Sequence, residues 1–372
     1  MNKKIDLWHY PRPLLAKQIM SVFESGLAHA LTLFAPRRMG KTEFLLKDIV
    51  PLAQQEGWSI FYFSFLDIQA DAAPEFLRAL QAFLTQISMK EKSKTFFKQV
   101  AQVGVNIHAA GAGVGAQLQF KETPTPSPDI KTILHALAQQ DKVLLLLDEV
   151  QVLAQKKENA RLIAGLRTAL DIDKDQVKVI FTGSSQEGLR RMFSEAKAPF
   201  FHFGQNLDFP ELDQGFTQHM AKRFQTVTGR PLAVDALWDL FITMHKVPFF
   251  LRSLVERLAL HPEHSLEQAY ALMRQEMTAD QTLTKQWHQC SILEQLILKR
   301  ILDQPTGLFS EATRQDLQKI LGIRELPAIA TIQSALRSLE NKGLICHPPS
   351  RGHYQLEDPL FQEWLLQVEP AS

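Results

Sequence analysis

The chain has 372 residues, of which 45% are hydrophobic and 22% charged, and its net charge is +1 at pH 7. This composition is typical of a globular, soluble protein of two or three domains with a sizeable core. The balanced charge gives no indication of a polyanionic partner for the chain as a whole.

Only two cysteines are present, Cys290 and Cys346, and neither belongs to a metal-ligand pattern. A disulfide scaffold is therefore excluded, and the count fits a reducing compartment. The N-terminus lacks an apolar stretch of signal-peptide length, and the longest apolar run, residues 143–147, is too short to cross a bilayer. We expect a cytoplasmic protein with no membrane partner.

The first half of the chain alternates strand and helix patterns. Strands are predicted over residues 30–34, 59–65, 143–147, 177–181 and 200–203, and helices over 43–49, 74–87 and 161–170. Strands this apolar must be buried on both faces. The pattern predicts an α/β fold with a parallel sheet and helices on both faces.

Two segments interrupt this alternation. Residues 90–98 are a charged, amphipathic helical stretch, and residues 103–120 alternate around a glycine-rich run. That run is not preceded by a fully apolar strand or followed by a helix, so a β-hairpin with a flexible tip fits better than a second nucleotide loop. A proline-rich loop follows, with Asp129 as the N-cap of the next helix.

The second half is helical from about residue 211 to 285, and the pattern changes after Ser291. Helices are predicted over 292–302, 310–321 with Ser310 as N-cap, and 328–341, followed by short strands near 344–347 and 354–356. Three helices and a two-stranded ribbon are the winged-helix plan. The predicted domains are a core over 1–207, a helical lid over 208–288 and a winged helix over 289–372.

Residues 35–42 nearly match the phosphate-binding loop G-x-x-x-x-G-K-[ST]. Gly40, Lys41 and Thr42 fit the pattern, and Ala35 replaces its first glycine. An apolar strand before the loop and a helical pattern after it supply the required context, because backbone N–H groups and the helix N-terminus bind phosphate there. The expected ATP contacts in this segment are Ala35, Pro36, Arg37, Arg38, Met39, Gly40, Lys41, Thr42 and Glu43.

The strand at 143–147 ends in two carboxylates, Asp148 and Glu149. In a nucleotide site Lys41 would reach the outer phosphates, Thr42 and Asp148 would hold Mg²⁺, and Glu149 would orient or deprotonate the attacking water. A lone aspartate after a strand is usually a helix cap, and a lone lysine after glycine is usually on the surface. The phosphate loop and the carboxylate pair occur together and in the right order, which favours ATP binding. The presence of Glu149 next to Asp148 also favours ATP hydrolysis.

These two motifs resemble those of the archaeal-type ATPase family, in the STAND branch of the AAA+-like NTPases. Residues 179–185 are similar to the family's sensor strand, which implies a place near the γ-phosphate for Ser184. The resemblance also implies that Pro248 in the lid, and Tyr10 and Arg12 near the N-terminus, lie at the base. An ATPase core, a lid and a C-terminal winged helix are implied for nearly the whole chain.

The chain departs from the family pattern at several positions. His245 and Lys246 replace a Gly-Gly pair in the lid, and the arginine expected after the sensor strand is absent, because Gly204 is followed by Gln205. Either of two other arginines, Arg190 and Arg191, could reach the γ-phosphate in cis or from a neighbour in a homo-oligomer, or both could be solvated helix residues. We expect these departures to slow turnover more than binding.

The predicted winged helix leaves two kinds of partner open. Arg337 on its third helix and Arg351 on its wing are the expected DNA contacts, yet residues 310–364 contain six Lys/Arg against seven Asp/Glu. DNA-binding modules usually have a basic face, so a protein partner fits as well. Three hypotheses follow: an ATP-hydrolysing switch, a nucleotide-dependent DNA-binding regulator or replication-initiator-like protein, and a protein-interaction module with a decayed ATP site.

Overall fold

The computed structural model describes residues 6–66, 72–103, 129–184, 188, 192–193, 198, 200, 203–279, 281–346 and 353–368. For residues 90–103, 154, 155, 157 and 278, it describes the backbone alone. Residues 104–120 of the predicted hairpin lie outside this part of the chain, as do Arg190, Arg191 and Arg351.

A five-stranded parallel sheet forms the centre of the N-terminal half. Its strand order is β2-β3-β4-β1-β5, and the strands are β1 (Ala30–Phe34), β2 (Ser59–Ser64), β3 (Val143–Asp148), β4 (Val177–Gly183) and β5 (Gln205–Asp208). Successive residues of β3 enter two different core clusters, Leu144 and Leu146 on one face and Leu145 and Leu147 on the other. Both faces are therefore covered, and the predicted α/β class with a parallel P-loop sheet is confirmed.

Helices cover both faces of the sheet and build the rest of the chain. The N-terminal helices are α1 (Pro13–Glu24), α2 (Lys41–Phe44), α3 (Val50–Gln55), α4 (Ala72–Val103), α5 (Ile130–Ala138) and α6 (Ala160–Ile172), with a π-helical turn at Leu45–Ile49 between α2 and α3. The C-terminal helices are α7 (Gln214–Thr228), α8 (Val234–Thr243), α9 (Pro248–Leu260), α10 (Leu266–Thr278), α11 (Gln281–His288), α12 (Ile292–Asp303), α13 (Glu311–Leu321), α14 (Ile329–Asn341) and α15 (Pro359–Leu365). The charged stretch at 90–98 belongs to α4, as a helix was predicted there.

The fifth strand does not lie at 200–203, where the apolar pattern predicted it. Phe200 is in a turn and Phe203 follows it without strand structure, and both rings are buried, with Phe200 5.2 Å from the Phe181 ring. Gly204 then has φ +81°, and a Cβ there would lie 2.5 Å from the carbonyl oxygen of Ala30. The chain can pass β1 this closely only with glycine, and β5 begins at the next residue.

Two predicted N-caps behave differently. Ser310 accepts a hydrogen bond from the Thr313 backbone at 3.2 Å, so it caps α13 as expected. Asp129 occupies the N-cap of α5, but its side chain makes no cap bond.

The last part of the chain has its own core. Helices α12, α13 and α14 enclose it with the antiparallel strands β6 (Ile345–Cys346) and β7 (Gln355–Leu356). The following helix, α15, packs against α10, and Leu360 of α15 contacts the core cluster that one face of the sheet shares with helices α7 to α10. Residues 291–368 are called the C-terminal module below. No helix among the described residues is long and apolar enough to cross a membrane.

Candidate nucleotide site

The phosphate loop connects β1 to α2 and buries its lysine. Gly40, at the N-cap of α2, has φ +87°, which turns the chain into the helix. Lys41 is only 5% exposed, and its Nζ donates to the carbonyl oxygens of Ala35 at 2.6 Å and Pro36 at 2.9 Å. Burial lowers the pKa of Lys41 to about 8, although the nearby carboxylates Glu149 and Asp148 raise it. A buried ammonium bonded only to carbonyl groups suits a polyphosphate partner.

The loop tolerates the loss of its first glycine. Ala35 does not have a positive φ, so alanine causes no left-handed strain at that position. Arg38 does have a positive φ, of +66°. The unusual backbone conformation in the loop is therefore at an arginine.

Asp148 sits at the end of β3 among three hydroxyl groups. Its Oδ2 accepts from Thr42 at 2.6 Å and from Tyr62 at 3.1 Å, and its Oδ1 accepts from Thr182. A threonine hydroxyl and a carboxylate within hydrogen-bond distance of each other are oxygen ligands of the kind that Mg²⁺ takes beside nucleotide phosphates. The donor set of Thr42 and Asp148 therefore fits Mg²⁺.

Hydrogen bonds to one carboxylate oxygen hold the Glu149 side chain in place. It is 7% exposed and has φ +56°, and its Oε2 accepts from the Ser184 backbone at 3.2 Å, the Ser184 hydroxyl at 2.6 Å and Gln151 Nε2 at 2.5 Å. The structure thus places Ser184, an expected ATP contact, against Glu149 and not on the cavity wall. Gln151 has the same partner and was not singled out in the sequence, although it lies two residues after Glu149.

The phosphate loop and Glu149 meet at a cavity of about 740 Å³, within the range of small-molecule sites. Its wall contains most of the expected residues: Tyr10, Arg12, Arg37, Arg38, Met39, Gly40, Lys41, Thr42, Glu43, Glu149 and Pro248. Ala35 and Pro36 instead line a second cavity, which shares Met39 with the first. Asp148 reaches the site through Thr42.

Arg12 is near the cavity but is engaged with the protein. Its guanidinium lies 4.1 Å from the centre of the Phe209 ring and donates to the Pro210 carbonyl, and its backbone N–H donates to Asp48 at 3.0 Å. Burial lowers the pKa of Arg12 to about 10. This arrangement fixes the N-terminal segment along the wall that Tyr10 also lines.

Several residues that line the cavity belong to no motif in the sequence. His9 Nε2 lies 3.0 Å from Asp48 Oδ2, and Arg252 lies 3.1 Å from Glu43. Arg252 stands one helical turn after Pro248 in α9, so the i, i+4 spacing was the one available signal. His9 and Asp48 meet only through the fold.

His245 and Lys246, where the family resemblance implies a Gly-Gly pair, have a glycine-like backbone. His245 and Lys246 both have φ +53°. A non-glycine residue in this region costs about 1–2 kcal/mol. His245 Nε2 lies 3.5 Å from Glu363 of α15, and Lys246 Nζ donates to Glu211 at 2.9 Å.

A parallel sheet with a buried lysine at the end of the loop after β1 and a carboxylate pair at the end of β3 defines a P-loop NTPase. A sequence profile described as an ATPase domain predominantly from Archaea matches residues 12–231. The chain belongs to this family of archaeal-type ATPases.

Solved structures show the same fold. A Walker-type ATPase of Pyrococcus abyssi is 14% identical, with a TM-score of 0.67 over 97% of this chain and 99% of that one. The Aeropyrum pernix ORC2 protein in its ADP form is 16% identical, with a TM-score of 0.54 over 98% of each chain. At this identity the likeness concerns the fold alone. The chain matches no curated protein sequence.

Proposed function

We propose that this chain is a slow, ATP-hydrolysing switch of the STAND type, in which nucleotide state changes what a C-terminal winged helix contacts. The convergence of Lys41, the Thr42–Asp148 pair and Glu149 at one cavity carries the proposal. The domains predicted from the sequence, a core, a helical lid and a winged helix, are part of it.

The chemistry follows from the positions of these groups. Lys41 exchanges its carbonyl partners for the outer phosphates, and the N-terminus of α2 faces the same charge. Mg²⁺ bound by Thr42 and Asp148 would neutralise the charge that develops on the phosphate oxygens. Ser184 and Gln151 hold Glu149 so that its carboxylate can orient the attacking water and accept its proton.

Multi-turnover release of phosphate from ATP with Mg²⁺ tests this function. Purified protein should release phosphate, whereas Lys41→Ala should abolish ATP binding in a fluorescent-nucleotide titration because the buried cation is lost. A folded Lys41→Ala protein with near-unchanged ATP affinity would contradict the site assignment. ATP binding without phosphate release would leave a nucleotide-binding module and reject the hydrolysing switch.

DNA binding through the C-terminal module is the second candidate function. Arg337 is exposed on α14, the third helix of the module, beside the exposed polar residues Thr331, Gln333 and Ser334. An arginine on such a face could contact a phosphate or a base edge. Retention of duplex DNA that weakens as salt rises would support this function, and its absence would favour a protein partner.

A further inference from the structure

One side chain of the phosphate loop reaches the C-terminal module. Arg38 Nη1 lies 2.5 Å from Asp358 Oδ1, with the two side chains 28% and 21% exposed. The same guanidinium lies 5.5 Å from the centre of the Phe249 ring in the lid. Loop, lid and module therefore meet at Arg38, which also lines the nucleotide cavity.

The carboxylate that Arg38 contacts is fixed to a helix. Asp358 is the N-cap of α15, and its Oδ1 also accepts from the Leu360 backbone at 2.9 Å. The ion pair therefore ties the start of α15 to the phosphate loop. Further along α15, the buried Glu363 lies near His245 of the lid and 3.9 Å from Arg274 of α10. These contacts hold the later turns of α15 to the lid, whereas the Arg38 pair holds the start of the helix.

Bound ATP would bring a stronger partner to the same arginine. Arg38 lies two residues before Gly40, in the loop that faces the phosphates. Guanidinium groups bind phosphate through two parallel hydrogen bonds, and a polyphosphate carries more charge than one carboxylate.

We propose that Asp358 is a positioning residue of the nucleotide site, which holds Arg38 against the C-terminal module in competition with the phosphates of ATP. The inference rests on the proposed function. Docking of α15 on the loop then weakens ATP binding by some factor. By thermodynamic linkage, bound ATP weakens that docking by the same factor.

Asp358→Asn separates this role from capping, since asparagine caps a helix as well as aspartate does but carries no charge. We expect ATP to bind about 3- to 10-fold more tightly to this variant, within the usual range of coupling between sites. Hydrogen–deuterium exchange of α15 should be faster in the variant than in the wild type without nucleotide, and ATP should accelerate it in the wild type. In the Arg38→Gln variant, α15 should exchange as fast as in Asp358→Asn. In the double variant with both substitutions, the exchange rate of α15 should be the same as in either single variant.

Asp316→Asn is the matched control, because it removes one negative charge from the same module at the Arg300–Asp316 pair, whose nitrogen and oxygen lie 3.9 Å apart. Its ATP affinity should equal that of the wild type. An Asp358→Asn protein with unchanged ATP affinity, together with α15 exchange that ATP does not alter, would overturn the competition and leave the ATPase proposal standing. A wild-type chain that binds no ATP would overturn both.

Discussion

Arg38, Glu149, His245 and Lys246 are the four non-glycine residues with positive φ in the part of the chain that the structure describes. Two of them line the nucleotide cavity, and the other two lie in the turn just before α9. Strained backbone of this kind persists where the surroundings enforce it, and it concentrates at functional sites. Their distribution agrees with the site that the motifs predicted.

The lowered pKa of Lys41 predicts a pH dependence of ATP binding. Without nucleotide the pKa is about 8, and bound phosphate raises it, so the free protein loses this charge first as pH rises. ATP affinity should therefore weaken between pH 7 and 9, by at most roughly tenfold per pH unit. Fluorescent-nucleotide titrations of the wild type at several pH values measure this. An ATP affinity that does not change over this range would remove Lys41 as the cause.

The role given to Glu149 predicts a separation of binding from hydrolysis. Glu149→Gln keeps an oxygen that can accept the Ser184 bonds but cannot accept a proton from water. The variant should bind ATP–Mg²⁺ normally, and phosphate release should fall by a factor on the order of 10²–10⁴. Release at the wild-type rate would exclude Glu149 from the mechanism.

At the scale of elements, the sequence best predicted the buried strands and the short motifs next to them. The apolar strands β1, β3 and β4 and the motifs at their ends could be read from short patterns, because both faces of each strand are covered. The edge strand β5 could not, since its residues Gln-Asn-Leu-Asp are largely exposed, whereas Phe200 and Phe203 before it are buried without strand structure. The N-terminal wall of the cavity, with Trp8 and His9, likewise had no periodic signal.

The turn between α8 and α9 gives an element-scale prediction. Lys246 is held at φ +53°, where glycine is unstrained and alanine is not. Both Lys246→Gly and Lys246→Ala lose the partly exposed pair with Glu211, so the comparison isolates the backbone. The glycine variant should be the more stable by about 1 kcal/mol in urea unfolding. An alanine variant of equal or greater stability would show that the turn relaxes out of this conformation.

At the scale of the whole molecule, the contacts that join the parts lie beyond sequence reasoning. Arg38 and Asp358 are separated by 320 positions, and His245 and Gln362 by 117. No periodicity or motif relates residues so far apart, because their meeting depends on how the C-terminal module packs on the rest of the chain. The three predicted domains stay a prediction, and the structure shows that Arg38 and His245 lie against α15. The contribution of Arg190 or Arg191 from a neighbouring subunit stays a prediction.

The charge of the C-terminal module limits how it could bind DNA, and so predicts a shallow salt dependence. Several of its cations already have partners: Lys342 pairs with Glu294 at 2.8 Å, and Arg314 Nε donates to the Pro327 carbonyl at 2.7 Å. Few phosphate contacts remain available, so log affinity against log salt should have a slope of roughly −2 to −4, at about −0.9 per phosphate. A gel-shift series with duplex DNA at rising salt measures this slope.

Arg337 and Arg351 test whether the third helix and the wing make those contacts. Replacing both by alanine should weaken DNA binding and make the slope shallower by roughly 1.8, which corresponds to about two phosphates. The reason is that each phosphate left without its arginine keeps its counterion. ATP hydrolysis should be unchanged, since neither arginine is among the expected ATP contacts, and Lys41→Ala provides the converse control. Failure to retain DNA even at low salt, with and without ATP, would contradict DNA binding and favour a protein partner that meets α14 through less salt-sensitive contacts.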